Sequence, residues 1–274
     1  MKSINQQTIL VTGSTDGIGK ITALLLAKQG AHVLIHGRSA EKLDKVGKEL
    51  KDASGNEKID GFIADLSSLA QVRRLAEEVM AKHAGLDVLI NNAGVGYVDP
   101  RYSKDGYELR FAVNYLAPFL LTRMLLPALK KAAPSRIVNV SSVGQYPIDF
   151  DDVMMEKDFD AVRAYSQSKL ALIMFTMELA GKVRRDGITV NSLHPGTYLN
   201  TNIVRKAGID PMGEPESGAQ AEVHLAVSES LEGVTGKYFD VKTQAKADSQ
   251  AYDKKARERL WELSLQLTQA AQLV

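Results

Sequence analysis

Tyr165 and Lys169 stand four residues apart in the run Tyr165-Ser166-Gln167-Ser168-Lys169. On a helix that spacing puts both side chains on one face, one turn apart. A phenol ordinarily loses its proton near pH ~10. A nearby ammonium favours the phenolate and lowers that value. The pair therefore suits proton transfer to or from an oxygen, as in reducing a carbonyl or oxidising an alcohol. A second chemical motif lies near the N-terminus, in Gly13-Ser14-Thr15-Asp16-Gly17-Ile18-Gly19. It follows an apolar run directly and leads into a helical pattern. Such a turn brings backbone N–H groups up to a pyrophosphate, and the helix dipole adds attraction. Its spacing is G-x3-G-x-G rather than the G-x-G-x-x-G of the common dinucleotide fingerprint.

These motifs need elements to hold them. Short β-branched runs at 8–12, 32–36, 59–64, 86–90, 136–140, 188–193 and 237–241 read as strands. Helical patterns fall at about 17–29, 39–50, 69–82, 106–131, 161–184, 215–228 and 255–273. Short strands apolar on both faces and separated by helices predict an α/β fold. The expectation is a single Rossmann-type, doubly wound parallel sheet of about seven strands, with helices on both faces. No linker or repeat divides residues 1–274, so one domain is expected. Within it, 196–235 form a substrate-side loop and helix, and 242–274 a C-terminal extension and helix. The polar stretch 242–255 reads as the least ordered part. Leu260, Leu263, Leu267 and Ala271 form a helical stripe suited to core packing or an interface.

Composition narrows the classes of function. With 45% hydrophobic and 24% charged residues, the 274-residue chain is an ordinary globular one. A net charge of +1 offers no global field for nucleic acid or an anionic membrane. The absence of cysteine excludes disulfides, thiol nucleophiles and Cys-ligated metals. The N-terminus lacks a signal-peptide pattern. The longest apolar passage near the middle, 119–129, is interrupted by Thr122, Arg123 and Pro127, so no membrane span is expected. A soluble cytoplasmic protein is the expectation.

On these motifs the chain resembles the short-chain dehydrogenase/reductase family. Thr12-Gly13-Ser14-Thr15-Asp16-Gly17-Ile18-Gly19 looks like its TGxxxGIG turn, and Asn91-Asn92-Ala93-Gly94 like its NNAG motif. His194-Pro195-Gly196, after the sixth strand, looks like its PG motif. Asn114, Ser142, Tyr165 and Lys169 fall where the family keeps its catalytic tetrad. The resemblance covers nearly the whole chain in the right order. The passages 111–116 and 236–239 look like the retinol-dehydrogenase-like branch.

The second strand ends His36-Gly37-Arg38-Ser39, with no acid to bond a ribose 2′-hydroxyl. Gly37 leaves room, and the Arg38 fork suits a 2′-phosphate, so NADP(H) is expected over NAD(H). Ser39 could add a hydroxyl donor or simply cap the next helix. His36 reads as a surface residue. The resemblance further implies that Asp65 and Leu66 border the adenine and that Thr15 lies on the adenosine side. Asn92, Ala93, Gly94, Pro195 and Gly196 join the cofactor site with Gly13, Ser14, Gly17, Ile18 and Gly19.

In the chemistry so implied, Tyr165 is the acid in reduction and the base in oxidation. Lys169 tunes it and grips the nicotinamide ribose. Ser142 orients and polarises the substrate oxygen, and Asn114 holds a water linking Lys169 to solvent. Ser141 is the rival serine; adjacent strand residues point to opposite faces, which favours Ser142. Two departures from the family pattern stand out. Ser142 and Tyr165 are twenty-three residues apart, with 146–157 as the extra segment. The stretch 197–201 is one residue longer than the family's usual run to the threonine, which leaves the contact of Thr201 open.

The function expected is NADP(H)-dependent interconversion of a carbonyl and an alcohol on a small-to-medium apolar substrate. The alternative is an NADPH-binding regulatory protein with little turnover. Substrate lining is sought in 95–102, 146–157 and 198–212, which carry Tyr97, Tyr146, Phe150, Met154, Met155 and Tyr198. His194 is not expected to be catalytic. The five histidines show no paired ligand spacing, so no metal is expected. A homodimer or homotetramer is compatible with the sequence.

Overall fold

The computed structural model describes residues 1–96 and 99–270. Strands β1 (Thr8–Val11), β2 (His32–Gly37), β3 (Ile59–Ile63), β4 (Val88–Asn91), β5 (Ser135–Val140), β6 (Ile188–His194), β7 (Tyr238–Asp240) and β8 (Thr243–Ala245) form one sheet. Their order is β3-β2-β1-β4-β5-β6-β7-β8. Every neighbouring pair is parallel except β7 with β8. The chain winds outward from β1 to β3, then returns to place β4 on the other side of β1. That reversal opens a crevice beyond the C-terminal ends of β1 and β4, where doubly wound folds bind ligands.

The helices are α1 (Gly17–Lys28), α2 (Ala40–Ser54), α3 (Leu69–Lys82), α4 (Leu109–Phe111), α5 (Ala117–Lys131), α6 (Ala161–Val183), α7 (Asn202–Lys206), α8 (Pro215–Val227) and α9 (Lys254–Thr268). Strand side chains alternate between faces. Ile9, Val11, Val33 and Ile35 pack with α1, α2 and α8, while Leu10, Leu34, Leu89 and Ile137 pack with α3, α5, α6 and α9. Both faces are thus covered, which is why the central strands read as continuous apolar runs.

Several boundaries differ from the sequence expectation. The long helix starts at Leu109 rather than near 106, because Gly106 has φ 81° and Glu108 caps the first turn through Phe111 N–H. A π turn, Ala112–Leu116, joins α4 to α5. Taken together, Leu109–Lys131 is long and apolar enough to cross a membrane, against the expectation of no such stretch. Its apolar window is 83% buried in this protein, so core packing uses that apolarity. α2 runs one turn further than expected and stops at Gly55, φ 67°. The stretch 242–255, expected to be poorly ordered, holds β8 and a 3-10 turn at Ser249–Tyr252. α9 ends at Thr268, where Gln269 turns left-handed; the expected end at 273 and Ala271 lie outside the described residues. Leu260 of the stripe is buried, yet Trp261 beside it makes the main contact, with ring centroids 5.2 Å from Phe119 and 6.1 Å from Phe175.

Candidate active site

β1 delivers the glycine turn to the crevice. Gly13 adopts φ 66°, a conformation that costs other residues energy. A Cβ at Gly13 would lie 2.8 Å from Ala93 Cα, and one at Gly19 would lie 2.6 Å from the Gly13 oxygen. Both positions therefore exclude any side chain. Asp16 caps α1 by accepting from Gly17 N–H at 2.8 Å, and Asn202 donates to its other oxygen. The start of α7 is thereby tied to the turn, and Thr201 sits over Gly17.

Four side chains, three of them buried, fix this turn from beneath. Thr12 Oγ1 accepts from the N–H groups of Asn92 (3.0 Å) and Ala93 (3.1 Å). Asn92 Nδ2 donates back to the Thr12 and Gly13 carbonyls. Ser14 Oγ donates to the Val11 carbonyl and accepts from His36 N–H. Asn92 and Ser14 thus spend their side chains on shaping the turn. His36 is only 3% exposed, which corrects the expectation of a surface residue. Its Nδ1 accepts from Gly13 N–H at 3.1 Å, so Nε2 carries the proton that faces the Ala64 carbonyl. Burial lowers its pKa to about 4 and keeps it neutral.

At the end of β2, Gly37 faces Thr15: a Cβ there would meet Thr15 Cγ2 at 2.5 Å. Arg38 is exposed, and among the described residues its guanidinium has no ion pair or hydrogen bond. Ser39 is the N-cap of α2, accepting from Lys42 N–H. Asp65 accepts from Ser67 and pairs with Lys104 at 2.9 Å, and Leu66 beside it is buried. Burial works to raise the Asp65 carboxyl, but the Ser67 bonds and the Lys104 ammonium outweigh it and hold it low.

Tyr165 and Lys169 both lie on α6. Tyr165 is half-buried in the second turn of that helix. Lys169 is 5% exposed, with Nζ donating to the Val140 carbonyl at 2.9 Å and standing 5.7 Å from the Tyr165 ring centroid. Burial lowers the Lys169 pKa to about 8, against a raising influence from Glu222. Gly94 leaves the room these groups need: a Cβ there would lie 3.3 Å from Asn114 Oδ1 and 3.6 Å from Lys169 Nζ. The structure therefore brings Gly94, Asn114, Tyr165 and Lys169 together.

Asn114 sits in the π turn, fully buried. Its Nδ2 donates to the Val95 carbonyl and to Ser168 Oγ, and its Oδ1 accepts from Val95 N–H. Both amide hydrogens are thus committed to protein acceptors. Ser168 in turn donates to the Tyr165 carbonyl at 2.6 Å, so Asn114 braces α6 at Tyr165. Tyr115, the next residue, bonds Ser264 of α9 at 2.6 Å, which locks the π turn from behind.

Ser141 Oγ donates to the Lys169 carbonyl at 2.7 Å and faces α6 backbone. Ser142 Oγ instead accepts from Gly144 N–H at 3.0 Å, and its carbonyl is held by Tyr238 and Gln145. The two serines point apart, as strand alternation predicts. Pro195 and Gly196 end β6; Gly196 has φ 138°, and Leu199 fills the space between it and Gly218. Gly218 also approaches Ile18, which joins α8 to the glycine turn.

The long segment between Ser142 and α6 is irregular but anchored. Gln250 accepts from Ile148 N–H at 2.7 Å and donates back to its carbonyl at 3.1 Å. Ile148, Val153 and Met155 are buried, with Phe150 and Met154 packed against the core. Tyr146 and Tyr198 stay exposed, at 42% and 44%. Tyr97 lies outside the described residues. Sequence reasoning missed Arg110, which is fully buried, pairs with Glu108 at 3.0 Å and donates to the Asp99 and Pro100 carbonyls. It also missed Glu222, whose carboxyl accepts from Thr22 at 2.7 Å and is raised by burial to about 8. Neither residue lies in a motif with a spacing signature.

Residues 7–211 match the short chain dehydrogenase family. Retinol dehydrogenase 13 of Mus musculus is 38% identical over 283 residues, covering 97% of this chain and 84% of that one. An uncharacterised protein from Mycobacterium Paratuberculosis superposes with TM-score 0.80 at 29% identity, over 99% of this chain and 97% of that chain. The Pseudomonas aeruginosa RhlG/NADP complex superposes with TM-score 0.71 at 28% identity, over 88% and 97%. The glycine turn, the crevice at the β1–β4 reversal and these likenesses agree: the chain belongs to the short chain dehydrogenase family, in its retinol-dehydrogenase-like branch, and is an alcohol/carbonyl oxidoreductase using a nicotinamide cofactor.

Proposed function

We propose that the protein interconverts a carbonyl and an alcohol on a small-to-medium apolar substrate, with NADP(H) as cofactor and Tyr165 as the acid and base. The observation that carries this reading is the buried Lys169 ammonium, 5.7 Å from the Tyr165 ring centroid and fixed by the Val140 carbonyl. A fixed cation there favours the phenolate and readies the hydroxyl to give up its proton. The crevice fits the cofactor. Gly13 and Gly19 form a cradle that any Cβ would fill, and Arg38 offers an unengaged guanidinium where a 2′-phosphate would be held. The NADP in the RhlG complex favours the same choice over NAD.

The bound nicotinamide supplies or accepts the hydride. In reduction, Tyr165 Oη gives its proton to the substrate oxygen; in oxidation it takes one back. Lys169 stabilises the phenolate left behind. Ser142 Oγ already accepts from Gly144 N–H, so its own hydrogen is directed elsewhere and can meet the substrate oxygen. Asn114 acts as a positioning residue for Val95 and for α6 at Tyr165. Val143, Tyr146, Tyr198 and Met212 are exposed on segments that flank Ser142 and follow Gly196, which suits an apolar substrate.

The test is NADPH oxidation over a panel of aldehydes, ketones and quinones, with retinaldehyde included because of the similarity to retinol dehydrogenase 13. Turnover of apolar carbonyl compounds is expected. Tight NADPH binding with no oxidation by any member of the panel would contradict the reading.

A further inference from the structure

Along the chain the five histidines show no ligand spacing, and the sequence predicts no metal. In space, three ligating side chains from distant segments converge. His32 opens β2, Asp60 lies in β3 and His83 follows α3 as its C-cap. Asp60 pairs with Leu34 across the two strands, so His32, Leu34 and Asp60 share one face of the sheet. α3 covers that face, and its end carries His83 to the edge of the Phe62 ring, with centroids 6.0 Å apart. One ligand atom from each of the three residues lies within 4.8 Å of the other two. His32 Nε2 is 2.7 Å from Asp60 Oδ2, and His83 Nε2 is 3.4 Å from the same oxygen.

His83 Nε2 is shielded from solvent and forms no hydrogen bond. A buried ring nitrogen that makes no hydrogen bond is costly, and such an atom calls for a reason. We propose that His32, Asp60 and His83 form a binding site for a divalent transition metal of the zinc class. Two imidazole nitrogens and one carboxylate oxygen are its ligands, and water completes the shell.

Donors at about 2.1 Å from a tetrahedral ion lie roughly 3.4 Å from one another. The His83–Asp60 separation already has that value, and the His32–Asp60 pair needs to open by about 0.7 Å. The His32 and Asp60 side chains are 30% and 43% exposed, which gives them that freedom and gives the ion a way in. A mixed nitrogen–oxygen set suits zinc, copper or nickel better than magnesium or calcium. The neighbouring cation, Lys82, lies over the Phe62 ring, 5.0 Å from its centroid. His32 and Asp60 lie toward the N-terminal ends of their strands, whereas the glycine turn and Ser142 follow the C-terminal ends of theirs. The metal therefore cross-links β2, β3 and the end of α3 and has no part in the redox chemistry.

The test uses tag-free, chelator-stripped protein titrated with Co²⁺ and then Zn²⁺, with NADPH binding as a control for folding. The expected result is one Co²⁺ per chain with visible ligand-field bands, displaced by one Zn²⁺, and a Zn²⁺-dependent rise in Tm. His83→Gln and Asp60→Asn should each weaken binding by at least about 10-fold, as loss of a metal's direct support does. If His83→Gln fails to fold, Asp60→Asn, at an exposed position, gives the same reading. The absence of stoichiometric binding by the wild type, or Co²⁺ bands unchanged in the folded variants, would overturn the site.

Discussion

Lys169 Nζ lies 5.7 Å from the centre of the Tyr165 ring and 2.9 Å from the Val140 carbonyl oxygen. One helical turn sets the first relationship and the end of β5 fixes the second. The ammonium cannot swing away without leaving a buried carbonyl unpaired.

Burial lowers the Lys169 pKa to about 8, so its charge is complete below that pH and lost above it. Single-turnover carbonyl reduction should therefore decline as pH rises through about 8, measured by stopped-flow NADPH oxidation. Stability has the opposite sign. The folded value lies below the unfolded value of ~10.4, so the unfolded chain binds more protons between the two. The stability contribution is full above the unfolded value and is lost as pH falls through about 8. Lys169→Met should abolish this rise between pH 8 and pH ~10 in a series of Tm measurements.

Gly19→Ala should spare the fold and damage cofactor binding. Its Cβ would lie 2.6 Å from the Gly13 oxygen, and the turn would have to shift. Overpacking of this kind costs about 1–3 kcal/mol. An equivalent loss of affinity is about 5- to 150-fold in the NADPH Kd, read by titration of cofactor fluorescence.

Arg38→Asp should reverse cofactor preference. A charge-assisted bond to a phosphate contributes about 1.5–3 kcal/mol, and an acid there would repel the phosphate and receive a ribose hydroxyl instead. NADPH affinity should fall by at least about 10-fold while NADH affinity rises. Parallel kcat/KM measurements with the two cofactors check it.

Arg110→Ala should destabilise the protein by about 3–5 kcal/mol, because the buried Glu108 carboxyl would lose its ion-pair partner. Urea unfolding measures the loss. The double variant Arg110→Met with Glu108→Gln should recover part of it, since it leaves no charge unpaired.

The fold was legible wherever local pattern decided it. Strand and helix alternation in 8–140 follows directly from runs of β-branched residues and from glycine at turns. The Tyr165–Lys169 pair was legible because four residues make one helical turn. What escaped were contacts between chain-distant residues. His36 reads as a surface residue at the end of its strand until the fold buries it beneath Gly13. Asp16–Asn202, Tyr115–Ser264 and Ile148–Gln250 join segments far apart in sequence and leave no spacing to read. β8 was missed because an edge strand of three residues, mostly exposed, lacks the apolar pattern of the buried strands.

The most direct test of the proposed chemistry is Tyr165→Phe, assayed for NADPH-dependent reduction of a carbonyl compound that the wild type turns over. The substitution removes one oxygen and keeps the ring beside Lys169. General acid catalysis contributes about 10²- to 10⁴-fold. The variant should lose about that factor in kcat while binding NADPH with unchanged affinity. Full turnover by Tyr165→Phe, with the cofactor bound as in the wild type, would contradict the assignment of the proton donor.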